Sequence, residues 1–393
     1  MKKYSIISGA CAAALGAAIL VACEKTETIV EPLPETREEP AAFISLEEVA
    51  GLLSSLPLER DQLEEVHDAA RASAGNGYDE EYRMQDLFST PGAGVGDDAT
   101  KAGKTYRRPL RDLLREAVQA TRSAETEPEA WLDSLCVSDV QIYWPFSDSW
   151  DGESLPVVTF DPGDGAERNV GYALRPDGSV EKVMVDEKMA AEQPVWVVNR
   201  NSDADYKSLE LRRREDPSWG QGGGDVLIRP TKADAGDIKT LVLRSFKAKR
   251  QFDSWLAGAS EYVVRMGSVE DFRASTEAEL RLYQPSVTDF MIVVRRNQVG
   301  EVIPFNAVLV SEWTEQLQSC AFMVTEDDGG TRTTWKAAAT VKYNSKQYGI
   351  EVELPLNQRD DIVWRGSLTR AYIERYNGRT AGYGDVELVL ELI

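Results

Sequence analysis

From about Trp131 to its end, the chain alternates short runs of β-branched and aromatic residues with clusters of turn-forming residues. All nine tryptophans lie between Trp131 and Trp364, and residues of these types favour strands because they pack well on a pleated surface. Strand-like runs at this spacing, without long helical patterns between them, predict an antiparallel sandwich or meander. The sequence shows no fixed-period repeat, which argues against a propeller or a solenoid. We therefore expect a mainly β fold with a smaller N-terminal helical region.

Two segments predict how the first strands are arranged. Arg168–Leu174 and Val180–Val185 flank the turn signal Pro176-Asp177-Gly178, which predicts a hairpin. Pro194–Asn199 carries apolar residues on both faces, which is typical of a buried central strand. Further strands are predicted at Val137–Trp144, Pro156–Phe160, Ile238–Arg244, Glu261–Met266, Glu279–Tyr283, Thr288–Arg295, Glu301–Val310, Ser319–Glu326, Thr331–Tyr343, Gln347–Leu356 and Val386–Leu392.

Glycine-rich segments divide this region. Trp219–Gly224 predicts a flexible link between a first β module at 129–220 and a second β module at 225–393. The run Asp327-Asp328-Gly329-Gly330 is expected to join the strands on either side of it into a hairpin.

The preceding region, 43–128, is predicted to be helical. Ser45 followed by Glu48 forms a capping-box pattern, and Pro57 ends the helix that it opens. Two more helices are expected at Glu59–Ser73 and Asp79–Phe88. The clearest helix follows Pro109, because apolar residues there recur at the spacing of one helical face and are expected to pack on the protein's own core. These apolar residues are Leu110, Leu113, Leu114, Ala117 and Val118.

The N-terminus has the layout of a secretory signal. Lys2 and Lys3 precede an apolar run, Ile6–Leu20, that is too short for a comfortable membrane span. Leu20-Val21-Ala22-Cys23 then resembles a bacterial lipobox. The resemblance implies removal of residues 1–22 and lipidation of Cys23, and Glu24, where many relatives retained in the inner membrane have Asp, implies an outer-membrane destination. The alternative is an ordinary cleaved signal in which Cys23 is incidental.

Residues 23–42 predict an acidic, proline-rich tether. Pro32, Pro34 and Pro40 restrict the backbone, and the many glutamates leave too little apolar surface to form a core. An extended segment of this length reaches about 60 Å, enough to hold a folded body away from lipid head groups. The whole chain resembles uncharacterised envelope lipoproteins of Bacteroidetes-type bacteria, a resemblance that implies a location and no activity.

Charge and cysteine content restrict the partners and the cross-links. The formal net charge is −22, which disfavours nucleic acid and anionic lipid surfaces as partners. Cys11 is expected to leave with the signal and Cys23 to carry lipid. Cys136 and Cys320 can then form a disulfide in an oxidising compartment, or remain as buried thiols.

The sequence lacks the residue sets of common catalytic and cofactor sites. His67 is the single histidine, on a helix rich in acidic residues, so a histidine zinc site is excluded and a solvated surface position is expected. Gly103-Lys104-Thr105 and Gly92–Gly96 lack the preceding strand of a phosphate-binding loop. Ser179 and Lys182 lie on opposite faces of a predicted strand. We therefore predict no catalytic residue and no cofactor.

One loop has oxygen-bearing side chains at the spacing of a calcium loop. These residues are Asn199, Asn201, Asp203, Asp205 and Glu210. Ala204 stands where the sharp turn requires glycine, and a strand rather than a helix precedes the loop. An exposed polar loop is therefore favoured over a metal site.

Carboxylate pairs suggest an alternative activity. The pairs are Asp148 with Asp151, Asp327 with Asp328, Asp360 with Asp361, and Glu351 with Glu353. A glycoside hydrolase needs two carboxyl groups about 5–10 Å apart across a cleft. Trp144, Trp150 or Trp219 could stack against sugar rings, although core packing is the commoner role of tryptophan.

The favoured hypothesis is a lipid-anchored envelope protein whose β modules are structural or bind a carbohydrate or protein ligand. The alternative is a carboxylate-dependent glycoside hydrolase acting on polysaccharide.

Overall fold

The computed structural model describes residues 44–88, 106–121, 128–175, 178–202, 206–216 and 238–393. Within these ranges the chain is mainly β, as predicted, and its helices are concentrated toward the N-terminus. The helices are α1 Leu46–Ser54, α2 Arg60–Gly75, α3 Met84–Phe88, α4 Leu110–Thr121, α5 Pro128–Cys136, α6 Glu187–Glu192, α7 Leu209–Glu215 and α8 Arg370–Arg375. The strands are β1 Glu81–Arg83, β2 Val140–Tyr143, β3 Val157–Phe160, β4 Arg168–Leu174, β5 Val180–Asp186, β6 Val195–Arg200, β7 Lys239–Ala248, β8 Ser260–Ser268, β9 Ser286–Val294, β10 Ile303–Trp313, β11 Leu317–Glu326, β12 Arg332–Tyr343, β13 Lys346–Asn357, β14 Asp361–Thr369, β15 Arg379–Tyr383 and β16 Val386–Leu392.

Local sequence signals start the first helices. The Ser45 hydroxyl accepts a hydrogen bond from the Glu48 amide at 3.3 Å, which caps α1 as predicted. At α2 the Glu59 amide donates to Gln62 Oε1 at 2.8 Å, which completes a capping box. The leucines of α4 and Val118 are buried, so the apolar face of this helix packs on the protein's own core.

The first sheet has six strands in the order β1-β2-β6-β3-β4-β5. β6 lies in its middle and is buried on both faces, which confirms the prediction of a central strand. β4 and β5 form the expected hairpin. All neighbours are antiparallel except β3 and β6, because α6 carries the chain back to the free side of β3. α1, α2 and α4 share a core with one face of this sheet.

The remaining strands form a sandwich of two sheets around one core. One sheet has the order β10-β7-β16-β15. The other has the order β13-β12-β11-β8-β9, and β14 also pairs with β11. Side chains from both sheets, including Phe246, Tyr262 and Phe322, are fully buried between them.

Several elements differ from the sequence predictions. The predicted helix Asp79–Phe88 begins with strand β1, because Glu81–Arg83 pairs with the edge strand β2 and adds to the sheet. α5 replaces the start of the predicted β region. Glu279–Tyr283 is not a strand but contains a short 3-10 helix. β11 and β12 pair antiparallel, as expected for the hairpin around 327–330, but only at the end away from the turn, because the end of β11 near the turn pairs with β8 and β14.

The loop between β7 and β8, residues 249–259, connects the sandwich to the first sheet, and we call it the junction loop. Trp255 is completely buried in a core that belongs to the first sheet, and its indole Nε1 donates to the Glu167 carbonyl at 2.9 Å. The Ala259 amide donates to Asp79 Oδ2 at 2.8 Å, and Asn199 Nδ2 donates to the Ala257 carbonyl at 2.6 Å. This loop therefore holds the two β regions against each other.

The predicted signal, the tether, Cys23 and the module boundary at 220–225 lie outside the described residues. In the ranges that are described, no helix has both the length and the apolar character required to cross a membrane. Cys136 and Cys320 are free thiols, the first half-buried at the end of α5 and the second buried in β11.

Candidate functional site

Three carboxylates from separate parts of the chain meet at one end of the sandwich. Asp253 lies on the junction loop, Glu261 near the start of β8, and Glu326 at the end of β11. One oxygen from each lies within 4.8 Å of the others. The Ser260 hydroxyl accepts a hydrogen bond from the Phe252 amide at 2.8 Å, which folds the junction loop back onto β8. We call these three residues the carboxylate cluster.

The carboxylate cluster is shielded from water. Glu326 is completely buried, and Glu261 is 7 % exposed. Neither carboxylate oxygen of Glu326 accepts a hydrogen bond from an N–H or hydroxyl donor among the described residues, and the same holds for Oδ2 of Asp253. Burial and the adjacent Asp253 carboxyl raise the pKa of Glu326 to about 10. A buried carboxylate without partners is costly, so this cluster requires a compensating proton or cation.

Further acidic residues surround the cluster. Asp327 and Asp360 serve the local turns, since Asp327 Oδ1 accepts hydrogen bonds from the Gly329 amide and the Asn357 side chain, and Asp360 Oδ2 accepts one from the Asn357 amide. Asp361 pairs with Glu326 in the register of β14 and β11. The structure thus brings two of the predicted carboxylate pairs to one place.

Asp328 and Asp361 are the exposed members of this acidic group. Burial of its carboxyl and the nearby Asp253 and Asp361 raise the pKa of Asp328 to about 6. The buried Arg265 donates to Thr325 Oγ1 at 2.7 Å, and burial lowers its pKa. The largest electrostatic interactions of its guanidinium are with Asp360, Asp289 and Asp327.

The other predicted carboxylate pairs have ordinary surface roles. Glu351 and Glu353 share an exposed face of β13 and form ion pairs with Lys336 at 3.2 and 2.9 Å, as expected for a solvated face. Asp151 accepts hydrogen bonds from the Glu153 and Ser154 amides and the Ser154 hydroxyl, which lower its pKa to about 2. Asp148 lies 3.9 Å from the guanidinium of Arg71.

The predicted tryptophans form part of a core. Trp144 is 1 % exposed, and its ring lies 5.3 Å from that of Trp150 between centroids. Trp150 is half-buried beside a cavity of about 110 Å³, and its indole donates to the Ser154 carbonyl at 3.1 Å. Trp219 lies outside the described residues.

The prediction of a solvated His67 is wrong. The ring centroid lies 5.0 Å from that of Trp150 and 5.5 Å from that of Trp144. Nε2 lies 3.2 Å from the Ser147 carbonyl oxygen, and burial lowers the pKa of the imidazole. The acidic neighbours in sequence indicated a surface, but this face of α2 packs on the loop that carries Ser147 and Trp150.

The predicted calcium loop is used differently at its described positions. Asn199 is buried in β6 and bonds to the junction loop. Asn201 Nδ2 donates to Glu81 Oε2 at 3.1 Å, and Glu210 lies in the first turn of α7. Asp203 and Asp205, and the glycine-rich stretches 92–96 and 103–105, lie outside the described residues.

Sequence reasoning named Asp327, Asp328, Asp360 and Asp361 but missed the carboxylate cluster. Asp253 and Glu261 are eight positions apart and 65 or more positions from Glu326, and only the pairing of β8 with β11 brings them together. The signal that could have been used is a glutamate ending an otherwise apolar strand next to two aspartates.

Comparison of the chain with protein-family models, curated proteins and solved structures finds no match.

Proposed function

We propose that the chain is a lipid-anchored protein of the bacterial outer membrane, attached through Cys23, whose β regions serve binding or structure rather than catalysis. The observation that carries this proposal is the Leu20–Cys23 sequence after a short apolar run. The acidic, proline-rich segment 23–42 suits a tether between lipid and a folded body.

The packing of the carboxylates supports a non-catalytic role. A glycosidase separates its two carboxyl groups by about 5–10 Å on either side of an accessible sugar. In the carboxylate cluster, Glu326 is completely buried, and the three groups share one small space. His67, the single histidine, packs against tryptophans instead of a nucleophile.

We expect a carbohydrate ligand to bind against the half-buried side chain of Trp150. Its ring borders the small cavity together with Asp151, Glu192 and Gln193, and an aromatic face beside polar groups is suited to sugar stacking and hydrogen bonding. A protein ligand is the other partner class that the proposal allows. Binding of the protein to oligosaccharides on a glycan array tests the carbohydrate assignment, and Trp150→Ala should abolish this binding.

The anchor is tested in cells with Cys23→Ser. Serine cannot form the thioether, so this variant is expected to accumulate as an unprocessed precursor and to lose the acyl chains that mass spectrometry should find on wild-type Cys23. Two or more acyl chains are expected, because one chain alone binds membranes only marginally. Cys136→Ser is the matched control and should be processed normally. A wild-type N-terminus without fatty acid would contradict the proposal.

Asp328 favours one second candidate, a carboxylate-dependent glycoside hydrolase. Its exposed carboxyl has a pKa of about 6, in the range suited to a general acid, and Asp361 is nearby. Screening polysaccharides for reducing-end release would support this candidate if turnover is lost in both Asp328→Asn and Asp361→Asn but kept in Glu351→Gln. Absence of turnover on every glycan tested would count against it.

A further inference from the structure

We propose that Asp253, Glu261 and Glu326 bind a calcium ion that fastens the junction loop to the end of the sandwich. The site is independent of the lipid anchor, and its ligands differ entirely from the loop 199–210 that the sequence pattern indicated.

The spacing of the three oxygens fits a single cation. Calcium binds oxygen ligands at about 2.4 Å, so the oxygens around one ion can stand at most about 4.8 Å apart. One oxygen each from Asp253, Glu261 and Glu326 meets this limit for all three pairs. Three carboxylates can supply up to six oxygens, because each can bind in a bidentate manner.

The state of Glu326 points independently to a ligand. Its side chain is completely buried, and neither oxygen accepts a hydrogen bond from an N–H or hydroxyl donor among the described residues; the adjacent carboxyl of Asp253 is its neighbour. Oδ2 of Asp253 is also buried and accepts no hydrogen bond from such a donor. Buried carboxylates are normally paired or coordinate metals, because desolvation of an isolated charge is so unfavourable. Neither Glu326 nor Asp253 forms an ion pair with a basic side chain in the described part of the chain, since Arg244, Arg250 and Arg296 pair with other carboxylates. The protein therefore supplies no positive charge to the cluster, and a bound cation would supply it.

The chemistry of the ligands selects the ion. All three donors are carboxylate oxygens, which suit hard cations and not the softer ions that prefer imidazole or thiolate. Magnesium loses its water reluctantly and demands near-ideal octahedral geometry, whereas calcium accepts irregular cages of protein oxygens. A site built from two buried glutamates and one loop aspartate therefore favours calcium.

The position of the site predicts its effect. Asp253 lies two residues before Trp255, which is buried in the core of the first sheet, while Glu261 and Glu326 belong to the sandwich. An ion bound to all three would join the loop to strands β8 and β11. We therefore expect calcium to stabilise the protein against heat, since a ligand that binds only the folded state raises the melting temperature.

The test uses the detergent-solubilised mature protein, treated with EDTA and then titrated with calcium chloride in a calorimeter and in thermal melts. The melting temperature should rise by about 5 °C when calcium reaches about 100 times its Kd. Glu326→Gln and Asp253→Asn should each abolish both the heat of binding and the rise. In EDTA, Glu326→Gln should melt at or above the wild-type temperature, because a neutral amide of the same shape replaces a buried carboxyl that is costly to ionise.

Two control variants locate the site. Glu351→Gln removes an exposed carboxylate and should keep the full calcium response. The double variant Asp203→Asn with Asp205→Asn should also keep it, and a response lost only in that variant would overturn the proposal in favour of the loop. About 10 mM calcium exceeds the Kd of the weakest extracellular calcium sites, so no rise in melting temperature at this concentration would overturn the proposal. A rise with magnesium chloride but not with calcium chloride would also overturn it, and so would a calcium response that survives in Glu326→Gln.

Discussion

At the scale of single residues, Glu80 shows how one buried carboxylate fixes a sharp turn. Phe146 has φ of 60°, a left-handed conformation that is strained for a bulky side chain. Its amide donates to Glu80 at 3.2 Å, and the amide and hydroxyl of Ser147 donate at 3.1 and 2.9 Å. The Ser147 carbonyl in turn faces His67. The strained turn therefore depends on a carboxylate that no sequence motif singled out.

The same carboxylate predicts a dependence of stability on pH. Burial, and then the neighbouring Asp79, raise the pKa of Glu80 to about 7, although the hydrogen bond from Ser147 and the positive charge of Arg295 oppose this shift. The unfolded value is near 4.5, so the folded state holds this proton more tightly. Its contribution to stability, about 3 kcal/mol at most, is complete below pH 4.5 and is lost as the pH rises through 7.

Urea unfolding in EDTA at pH 5.5 and pH 8.5 checks this prediction. The free energy of unfolding should fall more between pH 5.5 and pH 8.5 in the wild type than in Glu80→Gln, because the glutamine side chain cannot titrate. Glu351→Gln, which alters an exposed carboxylate, should retain the wild-type difference. An equal loss in wild type and Glu80→Gln would show that Glu80 does not titrate in this range.

At the scale of elements, the sequence predicted what local pattern controls. The stripe of α4 and the strand β16 were predicted correctly because each buries one regular face. The hairpin of β4 and β5 was predicted correctly because a turn signal lies between its strands. The elements that were missed depend on distant partners. Glu81–Arg83 becomes a strand only because it can pair with the edge strand β2. β14 pairs with β11, and no local sequence signal indicates this pairing. The carboxylate cluster was missed for the same reason.

The junction loop gives the prediction that belongs to this scale. Trp255→Ala, measured in EDTA, should lower the free energy of unfolding by about 3–5 kcal/mol, because it leaves a large cavity in the core of the first sheet. Trp255→Phe keeps most of the ring but loses the hydrogen bond to Glu167, so a cost of about 1–2 kcal/mol is expected.

Trp335→Ala is the matched control, because it deletes the same side chain at a half-buried position on β12. It should cost clearly less than Trp255→Ala, since less apolar surface returns to water. Chemical denaturation provides both values. Equal costs at the two positions would contradict the role assigned to the junction loop.

At the scale of the whole molecule, the state of the four cysteines reports on signal removal, on lipid attachment and on folding. Cys11 should leave with the signal, and Cys23 should be blocked by lipid. Cys136 is half-buried at the end of α5, Cys320 lies in the sandwich core on β11, and both are free thiols. Burial raises the pKa of the Cys320 thiol well above its usual value, and burial raises that of Cys136 as well. Because the thiolate is the reactive form, Cys320 should be inert in the folded protein.

Alkylation with iodoacetamide followed by mass spectrometry reads the three cysteines that remain after the signal is removed. In the native mature protein, Cys136 should react slowly and Cys320 should not react, while unfolding in urea without reductant should expose both. Cys320→Ser should leave native labelling unchanged and remove one label after unfolding. If alkylation in urea required reductant, Cys136 and Cys320 would be joined as a disulfide. If Cys23 were labelled, the acyl anchor would be absent, and the acidic tether would then have no membrane to which it could attach the β-rich body.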